Sequence, residues 1–410
     1  MSVKRVHFEK VKLEETVLNE MYENSFLLNC SDEILLAIFK HLRPEDLMNL
    51  SLSCKKLERI VKDRTLWKKI TIYLKTDMKF SRLFLLSRTK NLTINGNRCC
   101  HHVHDGTINY IHEILLSFTD LEELTLEDFY ITPETVSYIT LLCQKINKLI
   151  LNRCMKSENT RFVLEKKDIY LKVNYRSKLT CLILNNILWP ISLDFIQFFG
   201  LIAPNLTELR INSCVCIDEN LCMYHYMKIY SRSNVLKKLE ILDLRKTSVN
   251  TTIFTWCCRT CKNLKQLYLE CPRYLQLCLN EVHMFGWEIQ PTKRYDVEID
   301  RCLRDLIIRT ASPCCPQWHN LKLIDKIISL HSRDNIKDYS LLYFDGINDC
   351  RNLEILAIRH YQYISTEFIN CIPSLPKLKT LDFSGAVSIL ERDIKPKLRK
   401  DVKIVSLFDT

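Results

Sequence analysis

The sequence predicts an α/β protein, in which a small N-terminal helical unit is followed by a solenoid with short parallel strands on its concave face and helices on its convex face. Two observations carry this prediction. A six-residue apolar pattern recurs along most of the chain, and an early segment has apolar residues at helical spacing. With 410 residues, 47% of them hydrophobic and 26% charged, the chain is long enough for a large buried core.

The helical unit is predicted from residues 31–42, SDEILLAIFKHL. At about 100° per residue, its apolar side chains share one broad arc. The members of that arc are Ile34, Leu35, Ile38, Phe39 and Leu42. Leu36 lies outside the arc, so a second surface must cover it.

A turn at Pro44 leads into another predicted helix, which carries a narrow apolar stripe. The stripe consists of Leu47, Leu50, Cys54, Leu57 and Val61. Trp67 closes this part of the chain. Residues 1–25 have scattered charges and no apolar run of signal-peptide length, and we expect them to be a flexible N-terminal segment.

The repeated pattern is L-x-x-L-x-L, with Leu, Ile or Phe at the marked places. Its copies start at residues 121, 146, 179, 206, 239, 264, 353 and 378. The L-x-L pair puts two side chains on one face of a short strand. One strand and its return helix cannot bury that face alone, so we expect the copies to stack.

The interval between the copies at 264 and 353 is much longer than the others. It has room for about three further units, and LRDLII at 303 is a candidate degenerate copy. The irregular segment 272–350 is therefore interpreted as an insertion or as decayed repeats. Trp287 and Trp318 lie in it and suit either a binding loop or a cover for the edge of the solenoid.

A second regularity precedes the copies. Three positions before the start of a copy stands an apolar residue or a thiol, with Arg176 as the exception. These residues are Phe118, Cys143, Ala203, Leu236, Cys261, Cys350 and Leu375. We expect them to pack where each helix runs into its strand. The 20 cysteines are expected to be reduced thiols of a cytoplasmic or nuclear protein.

Charge and motifs exclude several function classes. The net charge of +11 is spread along the chain and modestly favours acidic partners. The sequence contains no recognisable nucleic-acid-binding motif. CCHHVH at 99–104 contains adjacent metal ligands, which point apart, whereas zinc loops space them about two to five residues apart. In CCRTC at 257–261, Cys261 is one of the packing residues named above, so this motif is interpreted as part of the core. We therefore predict no metal, cofactor, nucleic-acid partner, membrane span or enzymatic activity; a metal-dependent or nucleic-acid-binding module stays an alternative.

Residues 26–70 resemble an F-box. An acidic pair, Asp32 and Glu33, enters the first helix, ILLAIFKHL forms its core, PEDL makes the turn, and LSLSCKKLERIV and LW complete the match. The opening Leu-Pro of the family is replaced by Cys30-Ser31, although Ser31 can still cap the helix. The resemblance implies an F-box domain at 26–72 that binds a Skp-family adaptor and, through it, a cullin.

The adaptor contacts implied by the F-box resemblance are Leu28, Ser31, Ile34, Leu35, Leu36, Ile38, Phe39, Leu42, Pro44 and Leu47. Leu36 would then lie in the adaptor interface. The alternative is that the first helix of the repeat domain covers it.

The repeated copies resemble leucine-rich repeats, and Cys154 and Cys214 resemble the cysteine-containing subtype. This implies a repeat domain at 73–410 with the irregular segment inside it. Together the two resemblances imply a non-catalytic substrate-recognition subunit of an SCF-type ubiquitin ligase, present in the cytoplasm, the nucleus or both. The alternative is a repeat scaffold that binds a protein without directing ubiquitin transfer.

Target binding is predicted on the strand residues that do not point inward. Four of them have side chains that dominate interface energetics: Arg210, Arg245, Tyr268 and Arg359. We expect them to hold a target segment that carries a carboxylate or a phosphate. The alternative places recognition in the irregular segment.

Overall fold

The structure is a computed structural model of the whole chain. The residues it describes are 26–73, 89–96, 114–116, 118–131, 136, 139–140, 142–156, 177–186, 202–213, 236–247, 249, 251–271, 346–361, 364, 366–386 and 397–405. The predicted N-terminal segment 1–25, CCHHVH at 99–104, LRDLII at 303, Trp287, Trp318, Arg176 and Cys214 lie outside these residues.

Four short helices form the N-terminal unit: α1 (Phe26–Asn29), α2 (Asp32–Phe39), α3 (Pro44–Ser51) and α4 (Lys55–Val61). Ser31 caps α2 as predicted, because its Oγ accepts the Ile34 N–H at 3.5 Å. The single helix expected after Pro44 is wrong, since the chain breaks between α3 and α4. Hydroxyls cause part of the break: Ser51 and Ser53 donate to main-chain carbonyls of α3 at 2.6 and 3.2 Å.

The core of the helical unit joins α2, α3 and α4. Its buried side chains include Leu35, Phe39, Leu47, Leu57 and Val61. Buried Trp67 donates its indole N–H to the Val61 carbonyl at 2.6 Å. The Lys56 ammonium donates to the carbonyls of Leu28 and Cys30 at 2.6 and 3.0 Å, which ties the end of α1 to α4.

A parallel sheet of 11 strands makes up the rest of the described fold, and its strands are neighbours in chain order. The strands are β1 (Lys69–Tyr73), β2 (Asn91–Asn95), β3 (Glu123–Glu127), β5 (Lys148–Asn152), β7 (Cys181–Asn185), β8 (Glu208–Asn212), β9 (Ile241–Arg245), β10 (Gln266–Glu270), β11 (Ile355–Arg359), β12 (Thr380–Asp382) and β13 (Lys403–Val405). A separate parallel pair joins β4 (Tyr130–Ile131) and β6 (Met155–Lys156). Helices α5 (Thr251–Thr260) and α6 (Thr366–Cys371) and the 3₁₀ turns Ile347–Asp349 and Ile372–Ser374 connect strands.

Burial alternates along the strands as the repeat predicts. In the five-residue strands of the large sheet, from β1 to β11, the second and fourth residues are buried. The first and fifth residues face outward and are at least partly exposed, and so are most of the third; Asp243 and Ala357 are buried. Side chains of period two therefore form the core on one side of the sheet and an outward face on the other. This architecture is consistent with a repeat solenoid.

Main-chain hydrogen bonds repeat at both ends of the strands. At the start, one carbonyl accepts two successive N–H groups of the next strand, as when Lys90 accepts those of Glu122 and Glu123 at 2.8 and 2.9 Å. The residue that follows the fifth strand position often has a left-handed conformation, as at Asp128, Arg153, Asn186, Ser213, Lys246 and His360. Its N–H donates to the next unit, for example from Lys246 to Glu270 at 2.9 Å. These bonds hold the strands in constant register.

The packing position before each copy is confirmed. Its described members are all 3% exposed or less: Phe118, Cys143, Ala203, Leu236, Cys261, Cys350 and Leu375. The carbonyls of the last six accept the N–H three residues on, for example from Leu264 to Cys261 at 3.1 Å. The thiols behave as small apolar groups, and burial raises the pKa of Cys143 to about 12.

The long interval between copies does not add strands between its two neighbours. β10 pairs directly with β11, with Gln266 opposite Ile355. Consecutive stacked units occupy consecutive places in a sheet, so of the two interpretations this pairing favours an insertion over decayed repeats stacked between β10 and β11. The described chain resumes at Gly346, and the turn Ile347–Asp349 packs against α5. Residues 272–345 are interpreted as an insertion.

Within the described part of the chain, no helix has the length and apolar character needed to cross a bilayer. The same residues contain no group of three His, Cys, Asp or Glu side chains that could hold a metal ion.

Candidate functional site

Exposed apolar side chains mark the helical unit as a candidate interaction surface. On α2, Ile34 and Ile38 are 52% and 42% exposed, and as an i, i+4 pair they are neighbours on one helix face. We call this pair the α2 apolar face. Phe26, Leu27 and Leu52 are also exposed in the same unit. Leaving this much aliphatic and aromatic surface in water is unfavourable, so it is suited to a protein partner.

Only part of the predicted arc of α2 faces the core. Leu35 and Phe39 are fully buried, but Ile34 and Ile38 are not. Successive residues are about 100° apart around a helix. Because α2 packs on the core through Leu35 and Phe39, the residue before each of them faces away from the core. Leu36 is half-buried and packs against the chain's own core, and it is not the main uncovered side chain.

The predicted adaptor contacts therefore differ in accessibility. Leu35, Phe39 and Leu47 are buried and support the surface from beneath. The half-buried members are Leu28, Leu36, Leu42 and Pro44, and the exposed ones are Ser31, Ile34 and Ile38. The sequence analysis missed Phe26, Leu27 and Leu52. The sequence feature that could have identified them is that each is an apolar residue in a segment too short to form a buried periodic face.

Polar contacts hold the start of α2 in place. The Arg59 guanidinium pairs with Asp32 at 2.7 Å, which links α4 to the first turn of α2. Hydrogen bonds from its own main-chain N–H and from Ser31 lower the pKa of Glu33. The first turn of α2 thus carries negative charge, which suits the positive end of a helix dipole. The Cys30-Ser31 replacement leaves a well-capped helix.

The outward sheet face is the second candidate surface. It consists of the first, third and fifth residues of each strand. Here the structure brings Arg210, Arg245 and Tyr268 together around Asp243, whose side chain is 1% exposed. Arg245 forms a two-bond fork with Asp243, at 2.9 Å from Nε to Oδ1 and 2.7 Å from Nη2 to Oδ2. Hydrogen bonding to Asp243 raises the pKa of Arg245.

Arg210 and Tyr268 complete this group. Nη1 of Arg210 lies 3.7 Å from Oδ2 of Asp243, and its Nε donates to Glu208. The Arg245 guanidinium lies over the Tyr268 ring, 5.5 Å from its centre. Both arginine side chains are 36% exposed although each is paired with a carboxylate.

Arg359 is separate from the other predicted target residues. It lies opposite Glu270 in the sheet, two strands from Arg245. Its Nε and Nη2 contact Oδ2 of Asp382 at 2.7 and 2.6 Å. Burial opposes ionisation of Asp382, but hydrogen bonds from Ser384 and Arg359 outweigh it and lower the pKa of Asp382. Three of the four predicted target residues thus form one group, and the fourth, Arg359, pairs separately with Asp382.

Comparison with known protein families agrees with the first surface. The F-box-like family matches residues 32–73, which run from the first residue of α2 to the end of β1. No curated protein matches the chain. The F-box-like match thus includes the α2 apolar face, the buried helical core and the strand that opens the sheet.

Proposed function

We propose that this chain is the target-recognition subunit of an SCF-type ubiquitin ligase. Its F-box domain, residues 26–72, binds a Skp-type adaptor and through it a cullin, and a leucine-rich-repeat domain, residues 73–410, holds the target. F-box domains bind Skp1-type adaptors. The observation that carries the proposal is the F-box-like match over a helical unit whose Ile34 and Ile38 are exposed.

The mechanism is proximity. The adaptor holds the helical unit on the cullin, the sheet holds the target, and ubiquitin transfer takes place on other subunits at a raised local concentration of the target. The chain has a non-catalytic role in the cytoplasm, the nucleus or both. Target contacts on the outward sheet face include Arg210, Arg245, Tyr268 and Arg359, whose side chains all remain partly exposed.

The adaptor contact is tested by co-expression of the chain with a Skp-type adaptor. The double variant Ile34→Asp with Ile38→Asp should lose adaptor co-purification, because burying an unpaired carboxylate costs several kcal/mol. Both side chains are exposed, so the variant should fold as the wild type does. Leu116→Asp is the matched control, since Leu116 is 58% exposed and lies outside the helical unit. Undiminished adaptor recovery with the double variant would contradict the proposal.

A further inference from the structure

The charges of the outward sheet face are paired within the chain. From β3 to β12, each charged first, third or fifth strand residue has a partner of opposite charge within 4.0 Å. The pairs are Glu123 with Lys148, Glu127 with Arg153, Glu208 with Arg210, Asp243 with Arg245, Glu270 with Lys246 and Asp382 with Arg359. The chain's excess of positive charge is therefore not concentrated on these strands.

This pairing disfavours a phosphorylated target. Sites that bind phosphate present arginines whose donors are unoccupied. A phosphate brought to Arg210 or Arg245 would approach Asp243 and Glu208, and like charges repel. The expectation of a carboxylate- or phosphate-bearing segment came from the arginines alone, without the carboxylates that hold them.

An uncharged patch lies beside this group. Ile150 on β5 stands opposite Ile183 on β7, and Asn152 stands opposite Asn185. All four side chains are half-buried on the outward face. We call them the β5–β7 patch. Ile183 is also opposite Arg210 on β8, so the patch and the arginine group are continuous.

The two asparagines of the patch differ in their bonding. Asn152 donates its side-chain N–H to Glu127 at 3.0 Å. Within the described residues the Asn185 carboxamide has no hydrogen-bond partner. A carboxamide offers two donors and an acceptor, which match the acceptor and donor of a peptide group. Apolar surface beside such an amide suits an uncharged stretch of main chain with an apolar side chain.

We propose that the β5–β7 patch binds an extended, unphosphorylated segment of the target protein. An apolar side chain of the segment packs on Ile150 and Ile183, its main chain bonds Asn185, and Arg210 donates to a carbonyl beyond. Strands lie about 4.8 Å apart and an extended chain advances about 3.3 Å per residue, so roughly three residues cross from β5 to β8. This inference rests on the proposed function, which assigns target binding to the sheet.

The experiment selects ligands from a phage library of random unmodified peptides, using the full chain purified with the Skp-type adaptor. Recovered peptides are then synthesised with and without phosphate on their serines and threonines, and their dissociation constants are measured. Ile183→Asp places a carboxylate in the patch, and Asn185→Asp changes charge with little change in size. Ile355→Asp is the matched control, because Ile355 is also a half-buried outward isoleucine, on β11.

Peptides with an apolar side chain should bind the wild type and the Ile355→Asp control alike. Ile183→Asp and Asn185→Asp should weaken binding by about tenfold or more, and phosphate on the peptide should weaken it further. The proposal is overturned if phosphate on the recovered peptides strengthens their binding, if the binders share acidic residues in place of an apolar one, if the patch variants bind as the control does, or if the library yields no binder. Adaptor recovery from the same samples separates the two hypotheses: its loss, with peptide binding intact, contradicts only the adaptor role.

Discussion

Deleting most of the irregular segment should leave the sheet folded. The prediction follows from the direct pairing of β10 with β11, which leaves residues 272–345 outside that part of the sheet. Removing residues 279–338 takes out 60 of the 74 residues between the described ends. The starts of β10 and β11 would then lie 29 residues apart in sequence, within the range of 22 to 33 found for the other neighbouring strands.

The expected gain can be worked from loop closure. If the segment acted only as a connection, shortening it from 74 to 14 residues would reduce the closure cost by about (3/2)RT ln(74/14), or about 1.5 kcal/mol. The deletion variant should therefore unfold at an equal or higher urea concentration than the wild type, as followed by circular dichroism. It should also retain adaptor binding.

A second deletion provides the control. Residues 346–353 include Ile347, Cys350 and Leu353, all fully buried, so their removal should destabilise the strands that follow. If the larger deletion instead lost its cooperative transition or became insoluble, residues 279–338 would belong to the core, and the interpretation as decayed repeats would replace the insertion. The same variant also tests the alternative that the irregular segment binds the target, because peptide binding would then disappear with it.

Four substitutions test the charge pairs and the core. Asp243→Asn should lower the free energy of unfolding by about 1 to 3 kcal/mol, which is less than for a fully buried ion pair because both arginines are partly exposed. Asp32→Asn removes an exposed ion pair and should cost less than about 1 kcal/mol. Equal unfolding midpoints for the two variants would refute this difference. The pKa of Asp382 is lowered by folding, so its ionised form stabilises the fold above the unfolded pKa of about 3.9, and this stability is lost as pH falls through the folded pKa. The unfolding midpoint of Asp382→Asn should therefore fall less between neutral and acidic pH than that of the wild type. Parallel plots of midpoint against pH for the two proteins would contradict this contribution of Asp382. Trp67→Ala should lower the free energy of unfolding by about 3 to 5 kcal/mol, and it should reduce both adaptor recovery and the unfolding midpoint of the sheet. If only one of these two quantities fell, the helical unit and the sheet would fold independently.

The sequence was sufficient to predict the repeated strands, because burial in a strand depends on a local period of two. It was insufficient for β1 and β2, whose copies begin with Trp67 and Thr89 in place of Leu or Ile. Thr89 can occupy a buried first position because its hydroxyl donates to the Trp67 carbonyl at 2.9 Å. That bond crosses between units, so no pattern within one copy reveals it.

The candidate sites were less predictable for the same reason. The apolar arc of α2 could be read from the sequence, but which part of the arc is covered depends on where α3 and α4 pack. Asp243 and Arg245 are two residues apart on one strand face and could have been recognised as a pair. The approach of Arg210 to Asp243 requires the order and register of β8 and β9, which the spacing of the copies leaves open.

Trp67 has a role in both parts of the chain, and this bears on the proposed mechanism. Its indole bonds the end of α4, and it occupies the first apolar position of the copy that forms β1. The helical unit and the sheet therefore share one continuous core instead of being joined by a flexible linker. A subunit that acts by proximity gains most when the spacing between its two binding surfaces is fixed, because the effective concentration of a tethered target falls as the tether loosens. The fusion of the last F-box-like residues with the first strand supplies that fixed spacing.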